Sequence, residues 1–535
     1  MSELTPQVPS LLVSATDQVA ISALPLQRPP EAEMKHLAAG AGIALGGRAI
    51  GRGTRLLLDI ALTHLLSPAM YGAYSVAWTV ERVLTMIAPL GVDAGAIRFG
   101  SRIWRSDAEA LKGVILQSLL FAFISGSAIG LVFFLGASWI ATVVFGKPEL
   151  IPVIRWFSFG YPLVTTLRVA AAATRISQRV KFAIFSEDMS QPALDLILVI
   201  GLSIGGLTLF KAVSAAVISF GLAMLISLGF LYRLFPKAAA RTVKAKYPGR
   251  ELYFFSFPAF LMGALTMILL WLDRLIVGHY RPLAEAGIYT AASQLSLAFA
   301  IVLSAFTAVF APMSAELFHR GQIKRLEELF RVSTKWAMYA CVPAFLTICF
   351  APTLIMSVLF GPKYAIGAST LIILGVGQMV NAGTGPVNTV LVMTGNQNRF
   401  LAISAATLVI GLGLAIYLIP TWGMAGAAVG TAVGVSVMFI AAIIMTKVRV
   451  GILPYDRRYL KGVFAAIPTI AALYLLRMLD IRSGLIQLIL IFGTATVVFG
   501  AALYFLGLEP EDQTFLQLVC ERLGKSNGSP EGLSK

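Results

Sequence analysis

Leu56-Leu57-Leu58-Asp59, followed by His64, Pro68 and Gly72-Ala73-Tyr74, recurs in the same order further along the chain. The second copy is Leu270-Trp271-Leu272-Asp273, followed by His279, Pro282 and Gly287-Ile288-Tyr289. Asp59 and Asp273 are 214 positions apart, and the paired glycines and tyrosines are 215 apart. A nearly constant offset over several landmarks indicates an internal duplication. The chain is therefore predicted to contain two related halves, followed by additional C-terminal sequence.

The composition is that of a membrane protein. Hydrophobic residues make up 58% of the chain, charged residues only 13%, and the mean hydropathy is +0.82, which excludes an ordinary soluble domain. Apolar stretches long enough to span a bilayer recur along the chain. We predict an all-α polytopic membrane protein with about fourteen transmembrane helices, near residues 38–65, 71–97, 113–140, 150–173, 182–205, 212–234, 252–277, 286–311, 334–359, 367–393, 401–419, 424–446, 461–478 and 484–506.

The net charge of +16 reflects the membrane topology. Connections after even-numbered spans, together with the residues at the adjoining span ends, contain 24 Lys and Arg residues, and those after odd-numbered spans contain 6. The positive-inside rule then places the even connections and both termini in the cytoplasm. Since the basic residues follow this alternation, they do not indicate a nucleic-acid partner.

An even number of spans in each repeat returns the chain to its starting side, so the two halves are parallel. Parallel repeats are related by an axis along the membrane normal, and their substrate sites lie near the midplane between them. We expect a flexible cytoplasmic tail at 1–37, a six-helix lobe at 38–235, a basic cytoplasmic linker at 236–250, a second six-helix lobe at 251–449, two extra helices at 450–507 and a cytoplasmic tail at 508–535.

Three arginines of the first span have no counterpart in the second half. Arg48, Arg52, Arg55 and Asp59 are spaced by 4, 3 and 4 residues and so share one helix face. The equivalent residues are Met262, Thr266, Leu269 and Asp273. In the second span, Glu81 and Arg82 align with Ser296 and Leu297. The cationic face is therefore specific to the first half.

An arginine inside the membrane costs roughly 3 kcal/mol on insertion scales, so three on one face cost about 9 kcal/mol. Such a face is tolerable where it lines a hydrated cavity or binds anions. Arg48, Arg52, Arg55 and Arg82 are therefore candidate substrate-binding residues. The alternative is that the first span begins later and that these arginines extend to the headgroups. Glycines at 40, 42, 46, 47, 51 and 53 would allow bending or close backbone approach.

Other spans contain polar residues at helical spacing. Asp188, Gln191 and Asp195 share a face of span 5, and the two aspartates and Glu81 are candidates for salt bridges to the arginines or for ion coupling. Arg168 is a candidate for the same cavity or for headgroup contact. Gln378, Asn381, Gly385 and Asn388 form a neutral stripe in span 10, suited to helix packing or to sugar hydroxyls. Asp59 and Asp273 are duplicated, so we expect a shared structural role near the outer helix ends.

Neither a metal site nor a catalytic constellation is recognisable. The four histidines, at 36, 64, 279 and 319, lack metal-ligand spacing, and the three cysteines are expected to be packing residues. The connections predicted to lie outside are short, which argues against an enzyme that acts on the outer face. Pro89, Pro162 and Pro386 are predicted to kink their helices. We expect no metal and no cofactor.

The chain resembles the polysaccharide transporter (O-antigen flippase-like) family of the multidrug/oligosaccharidyl-lipid/polysaccharide exporter superfamily. The resemblance rests on Leu65–Tyr74 with Gly91-Val92-Asp93, and on Asp273-Arg274-Leu275-Ile276 with Gly287-Ile288-Tyr289. It covers about residues 40–507. It implies two six-helix lobes in a MATE-like V, alternating access, and export of a polyprenyl-diphosphate-linked oligosaccharide.

This resemblance sets the functional expectation. The partners would be a lipid-linked saccharide substrate, membrane lipids and polysaccharide polymerase machinery, in a bacterial inner membrane. A diphosphate requires clustered cationic donors, which the arginine face would supply, whereas a cavity for cationic drugs would be acidic. Membrane potential alone could drive export of such an anion, and coupling to H⁺ or Na⁺ is an additional hypothesis. The alternatives are an ion-coupled multidrug antiporter and a membrane saccharide polymerase or ligase.

Overall fold

The computed structural model describes residues 31–177, 179–478, 484–507, 509 and 511–513, and all regular structure in these residues is helical. The first half contains α1 (Glu31–Leu65), α2 (Pro68–Ile87), α3 (Val92–Ile103), α4 (Ala108–Trp139), α5 (Leu150–Ser158), α6 (Gly160–Thr174), α7 (Val180–Ala183), α8 (Gln191–Ser203), α9 (Leu209–Leu234) and α10 (Pro236–Ala239). Two π-helices, Ile140–Val144 and Ile184–Ser190, and the 3-10 helix Arg175–Ser177 continue these helices.

The second half has the same kind of organisation. It contains α11 (Glu251–Tyr280), α12 (Leu283–Ser296), α13 (Ala298–His319), α14 (Ile323–Phe350), α15 (Pro352–Phe360), the 3-10 helix Pro362–Gly367, α16 (Ala368–Thr384), α17 (Val387–Met393) and α18 (Gln397–Val450). Two further helices follow, α19 (Arg457–Arg477) and α20 (Gly484–Phe505). The all-helical prediction is confirmed. The domain boundaries stay predictions, and α1 begins at Glu31, inside the segment assigned to the first tail.

The described residues include eight helices that are long and apolar enough to cross a membrane, or ten if each of two bent pairs counts as one span. One of the eight, α18, is 54 residues long and contains a break at Gly423, where φ is 59° and ψ is −139°. The predicted spans near 401–419 and 424–446 lie on either side of this break. A count of fourteen therefore stays a prediction.

Side-chain caps mark where several helices begin. Ser67 precedes α2, and its hydroxyl accepts a hydrogen bond from the Met70 amide at 3.3 Å. Asp107 accepts from the Ala110 amide at 2.9 Å at the beginning of α4, and Asp456 caps α19 in the same way. These oxygens satisfy amide groups that have no partner within the helix.

The predicted proline kinks are confirmed. The chain bends by 42° between α2 and α3, around Pro89, and by 43° between α5 and α6, just before Pro162. Pro386 separates α16 from α17, and the preceding Gly385 has a positive φ of 62°. Proline interrupts a helix because it has no amide hydrogen and its ring clashes with the preceding turn. Each kink divides a predicted span into two shorter helices.

The duplicated glycines bring the two halves together. A Cβ atom on Gly72 of α2 would overlap the carbonyl group of Leu283, and one on Gly287 of α12 would lie 2.6 Å from the carbonyl oxygen of Pro68. Pro68 and Leu283 are themselves 215 positions apart, so the same contact is made once from each half. This reciprocity is what a two-fold relation between parallel repeats produces. Glycine allows the two backbones to approach this closely.

A second contact between the halves does not follow the symmetry of the repeat. We use "outer end" for the end of the bundle opposite the basic connections. There the Lys147 ammonium donates to the carbonyl groups of Gly278 and His279 at the end of α11, and His279 Nδ1 contacts the Val144 carbonyl group. The equivalent of His279, His64, instead contacts Ile60 of its own helix. The outer ends of the halves are therefore joined in this structure.

Candidate functional site

The arginine face of α1 runs from an exposed end to an enclosed end. Arg48 is exposed and its Nε lies 3.8 Å from Asp188 Oδ2, and Arg52 is also exposed. Arg55 is largely enclosed, and its Nη2 lies 3.3 Å from Asp59 Oδ1. The guanidinium of Arg55 stacks on the Trp78 ring at 3.9 Å from the ring centroid.

Glycines on another face of α1 explain its close packing. A Cβ atom on Gly51 would overlap the backbone carbonyl of Asp188, and Gly47 lies against Ile184. Both contacts are with the π-helix Ile184–Ser190, in which Asp188 lies. The predicted role of these glycines in close approach is confirmed at Gly47 and Gly51, whereas Gly46 and Gly53 face open space.

Arg82 and Arg168 add positive charge on α2 and α6. The Arg82 guanidinium lies 5.2 Å from the Trp78 ring centroid, so Trp78 contacts two arginines. Arg168 Nε lies 3.5 Å from Asp93 Oδ2, which is at the beginning of α3. The Arg168 charge also acts on Arg82. The structure thus brings together cations from three separate helices of the first half.

Two acidic groups near these arginines are fully buried. Glu81 is 1% exposed and Asp195 is 0% exposed, and none of their carboxylate oxygens has a hydrogen-bond partner among the described residues. The charges of Arg82 and Arg55 act on Glu81, and that of Arg55 acts on Asp195. Buried carboxylates without hydrogen bonds are costly, which makes them candidates for protonation or for binding a cation.

The three polar residues predicted to share a face of span 5 have different partners, and their common face stays a prediction. Asp188 lies against α1, and Asp195 is within the electrostatic reach of Arg55. Gln191, predicted to share that face, donates to Ser219 Oγ on α9 at 3.1 Å. Gln191 directly follows the π-helix Ile184–Ser190, whose wider turn departs from the α-helical spacing on which the prediction rests.

Asp59 begins a polar bridge between the halves. Its Oδ2 accepts a hydrogen bond from Gln294 Nε2 of α12 at 2.9 Å. Gln294 Oε1 in turn accepts from Arg274 Nη2 at 3.1 Å, and Arg274 also donates to Ser293 Oγ at 3.1 Å. Asp59 is 1% exposed and Arg274 is 2% exposed, so the bridge is buried.

Aromatic stacking follows the same path across the interface. The rings of Trp78 and Trp271 meet edge to face with centroids 5.4 Å apart, and Arg274 lies over Trp271 at 4.3 Å. Arg55, Trp78, Trp271 and Arg274 therefore form one continuous array from the first half to the second. Arginine over an aromatic face is a favourable cation–π contact. Two nitrogens of Arg274, Nε and Nη1, have no hydrogen-bond partner among the described residues.

Arg274 was not among the predicted site residues. It lies inside an apolar span, and subtraction of the repeat offset of 214 pairs it with Ile60. The same comparison that singled out Arg48 and Arg52 would therefore have found Arg274, had it started from the second half.

The duplicated aspartates have different partners. Asp273 Oδ2 accepts a hydrogen bond from the Tyr289 hydroxyl at 2.8 Å, within its own half, and Tyr289 also contacts Thr431 at 3.2 Å. Asp59 instead pairs with Arg55 and with Gln294 across the interface. A purely shared structural role for the two aspartates stays a prediction.

The neutral stripe of the second half lies beside a helix break. Asn381 Nδ2 donates to Gln378 Oε1 at 3.3 Å in α16, and Asn388 Oδ1 accepts from the Thr389 amide at 2.8 Å in α17. All three amide side chains are partly exposed. Gly385, between them, interrupts the helix. The stripe is therefore divided between two helices rather than continuous.

Two apolar cavities of the described residues lie away from the arginines. One of about 520 Å³ adjoins α1 at Gly46, Gly47 and Ile50, and one of about 510 Å³ adjoins Cys341 and Phe492. None of the arginines lines either cavity. The candidate site is therefore defined by the charges of the arginines, and it does not coincide with either of these cavities. Within the described ranges, no group of three or more His, Cys, Asp or Glu residues could hold a metal ion.

The comparisons agree with this architecture. The family model described as "Polysaccharide biosynthesis protein" matches residues 61–368, more than half of the chain. The succinoglycan biosynthesis transport protein ExoT of Rhizobium meliloti is 26% identical over 311 residues, which are 57% of this chain and 58% of that protein. The probable low-salt glycan biosynthesis flippase Agl15 of Haloferax volcanii is 27% identical over 170 residues, which are 31% of this chain and 35% of that protein. The matches thus span less than two thirds of either relative.

A solved structure agrees as well. The lipid II flippase MurJ, in an inward closed conformation, superposes with a TM-score of 0.65 at 14% identity, over 85% of this chain and 97% of that one. At this identity the likeness establishes the fold alone. The family match is independent of it and covers both the arginine-bearing α2 and the contact between the halves. The chain belongs to the polysaccharide biosynthesis protein family.

Proposed function

We propose that this protein moves a polyprenyl-diphosphate-linked oligosaccharide from the cytoplasmic to the outer leaflet by alternating access between its two lobes. The observation that carries the proposal is the arginine–tryptophan array at the contact between the halves. Arg55 and Arg82 lie on Trp78, and Trp78 contacts Trp271 of the second half. Clustered guanidinium groups suit a diphosphate, which offers several acceptor oxygens and at least two negative charges.

The exposure of the arginines suggests an order of binding. Arg48 and Arg52 are exposed and would meet the diphosphate first, whereas Arg55 and Arg82 lie deeper. Arg168 is partly exposed and pairs with Asp93, an ion pair that an incoming anion could replace. Gln378, Asn381 and Asn388 would contact sugar hydroxyls.

Membrane potential favours this direction of transport. Moving two negative charges outward across an inside-negative membrane releases roughly 4 to 5 kcal/mol per 100 mV. Net export would therefore require no other energy source. Glu81, Asp188 and Asp195 would add coupling to H⁺ or Na⁺, because protonation of such a carboxylate would release a neighbouring arginine.

The charge distribution and the family support a cellular setting for this transport. A multi-pass protein with its basic connections inside would lie in a bacterial inner membrane with both termini in the cytoplasm. Its partners would be the lipid-linked saccharide, the membrane lipids and the polysaccharide polymerase machinery on the outer side. In this setting the protein is a transporter and not an enzyme. The two named relatives, a transport protein and a probable flippase of glycan biosynthesis, support this assignment.

An ion-coupled multidrug antiporter is the second candidate. The observation that favours it is the pair of buried carboxylates, Glu81 and Asp195, which have no hydrogen-bond partner among the described residues. Such groups could exchange a proton for a cationic drug. The larger number of arginines around them favours an anionic substrate instead.

The proposal is tested with the purified protein in liposomes that contain a fluorescent polyprenyl-diphosphate oligosaccharide. Loss of fluorescence to a membrane-impermeant quencher reports translocation. We expect transport by the wild type and a decrease of about tenfold in Arg48→Ala and in Arg52→Ala, since a hydrogen bond to a charged group contributes about 1.5–3 kcal/mol.

The matched control is Lys211→Ala. Lys211 lies in the first turn of α9 at the outer end, where it donates to the Gly206 carbonyl group at 2.7 Å. This variant should transport normally. Full transport by both arginine variants at normal protein levels would contradict the proposal.

A further inference from the structure

A short acidic segment beyond α20 packs against α14 and α19. Glu511 Oε1 lies 2.9 Å from Lys335 Nζ and 2.8 Å from Arg458 Nη1. Asp512 Oδ1 lies 2.8 Å from the same Lys335 nitrogen. Glu509 Oε1 lies 2.7 Å from Lys461 Nζ. We call Glu509, Glu511 and Asp512 the acidic clip.

The ion pairs between the acidic clip and Lys335 are largely shielded from water rather than exposed on the surface. Lys335 is 2% exposed, and a buried ammonium group requires a counter-charge, which Glu511 and Asp512 supply. The Trp336 indole also donates to Asp512 Oδ1, at 2.7 Å. Surface ion pairs contribute little because water screens them, whereas this one is mostly shielded from water.

The contact is charged at physiological pH. Partial burial acts to raise the pKa of Glu511, but the hydrogen bonds from Lys335 and Arg458 outweigh it and lower that pKa to about 2. Because the folded-state pKa is lowered, the contribution of this group is complete above its ordinary pKa and is lost only as the pH falls towards 2. Mild acid therefore does not protonate Glu511.

Lys335 and Arg458, the cations that pair with the acidic clip, lie next to residues that contact the break between α16 and α17. Thr334, which precedes Lys335, packs against Gly385, where a Cβ atom would overlap its side chain. Tyr459, which follows Arg458, donates from its hydroxyl to the Gly383 carbonyl at 3.2 Å. The acidic clip thus joins α14 to α19. Thr334 of α14 and Tyr459 of α19 both contact the break.

The break carries the neutral stripe. Asn381 lies two residues before Gly383, and Asn388 lies three residues after Gly385. Gly385 has φ 62° and ψ −152°, a conformation that few residues other than glycine adopt, so the chain changes direction here between the two groups of amides. A change in the spacing of α14 and α19 would shift the amides on either side.

We propose that the acidic clip sets the geometry of this break and so positions the amide side chains of Asn381 and Asn388. Lys335, Arg458, Glu511 and Asp512 are then positioning residues for the second lobe. The assignment of these amides to substrate rests on the proposed function. The control of their position by the clip does not depend on it.

The test measures the accessibility of the break in the full-length protein in membranes. A single cysteine replaces Asn388 after the native cysteines have been changed to serine, and its reaction with a membrane-impermeant maleimide is timed. We expect Glu511→Gln with Asp512→Asn to change that rate by about tenfold, since charged hydrogen bonds to a buried cation are lost. Tyr459→Phe, which removes only the hydroxyl contact with Gly383, should change the rate in the same direction.

Two controls make the result decisive. Glu316→Gln removes an exposed ion pair with Arg320, 2.7 Å long, in the same half, and should leave the rate unchanged. A cysteine at position 52 in the first half should react equally fast with and without the clip. An unchanged rate at position 388 would overturn the proposal. An equal change at both positions would also overturn it, because that would indicate general loosening.

These outcomes are independent of transport. If the clip changes the reactivity of position 388 but the liposome assay detects no translocation, the positioning role stands and the proposed substrate falls. If translocation occurs and the clip variants leave position 388 unchanged, the positioning role falls and the proposed function stands.

Discussion

Replacing Arg55 with alanine is expected to lower transport by about 10- to 100-fold, because a hydrogen bond to a charged group contributes about 1.5–3 kcal/mol. Arg55 joins three features of the site: it pairs with Asp59, stacks on Trp78 and adds charge at the contact between the lobes. Its loss would also leave the Asp59 carboxylate buried without a cation in contact. The liposome assay measures the first effect, and thermal unfolding in detergent measures the second.

A double variant separates these effects. Arg55→Met with Asp59→Asn removes both charges, so no buried carboxylate is left unpaired, and neutral replacement of a buried ion pair is often tolerated. We expect its thermal stability to exceed that of Arg55→Ala while its transport remains as low. Wild-type transport by the double variant would show that Arg55 only balances Asp59 and does not bind substrate.

Replacing Gly72 with alanine is expected to have the second large effect. The added methyl group would overlap the Leu283 carbonyl where the two halves meet, so the outer ends could not close as they do here. Overpacking costs about 1–3 kcal/mol. Because this cost applies only to the state with closed outer ends, the population with separated outer ends should increase relative to it by about 5- to 150-fold. The variant should therefore favour a state with separated outer ends.

Disulfide formation across the outer end measures this shift. Cysteines at positions 144 and 279 lie where Val144 and His279 contact one another across the halves. The rate of cross-linking should fall in Gly72→Ala and remain unchanged in Gly53→Ala, since a Cβ atom on Gly53 meets no heavy atom within 4 Å. Equal rates in both variants would remove Gly72 from the closing contact.

The parts of the structure that could be predicted are those that depend on local pattern. Pro89, Pro162 and Pro386 kink their helices because of their own chemistry, wherever the helices lie. Gly72 and Gly287 occupy equivalent positions because each half makes the same close backbone contact with the other half. The arginine face of α1 follows from helical spacing alone.

The remaining features depend on contacts between distant segments. Lys147 contacts the end of α11, and Asp512 contacts Lys335, although 131 and 177 residues respectively separate the partners. No local pattern links such pairs. The π-helix before Gln191 could not be predicted either, because a shift of hydrogen-bond register leaves no clear mark in the sequence. Arg274 is different, since its mismatch with Ile60 was visible in the repeat.

The most direct test of the account is the reactivity of a single cysteine at position 52, with the native cysteines removed. In inverted membrane vesicles, a membrane-impermeant maleimide should label it from the cytoplasmic side. Inorganic diphosphate should slow the labelling, since Arg48, Arg55 and Arg82 remain to bind it, and a cationic dye should not. Protection by the dye alone, or no labelling from the cytoplasmic side, would contradict an anion-binding site at the arginines that is open to the cytoplasm.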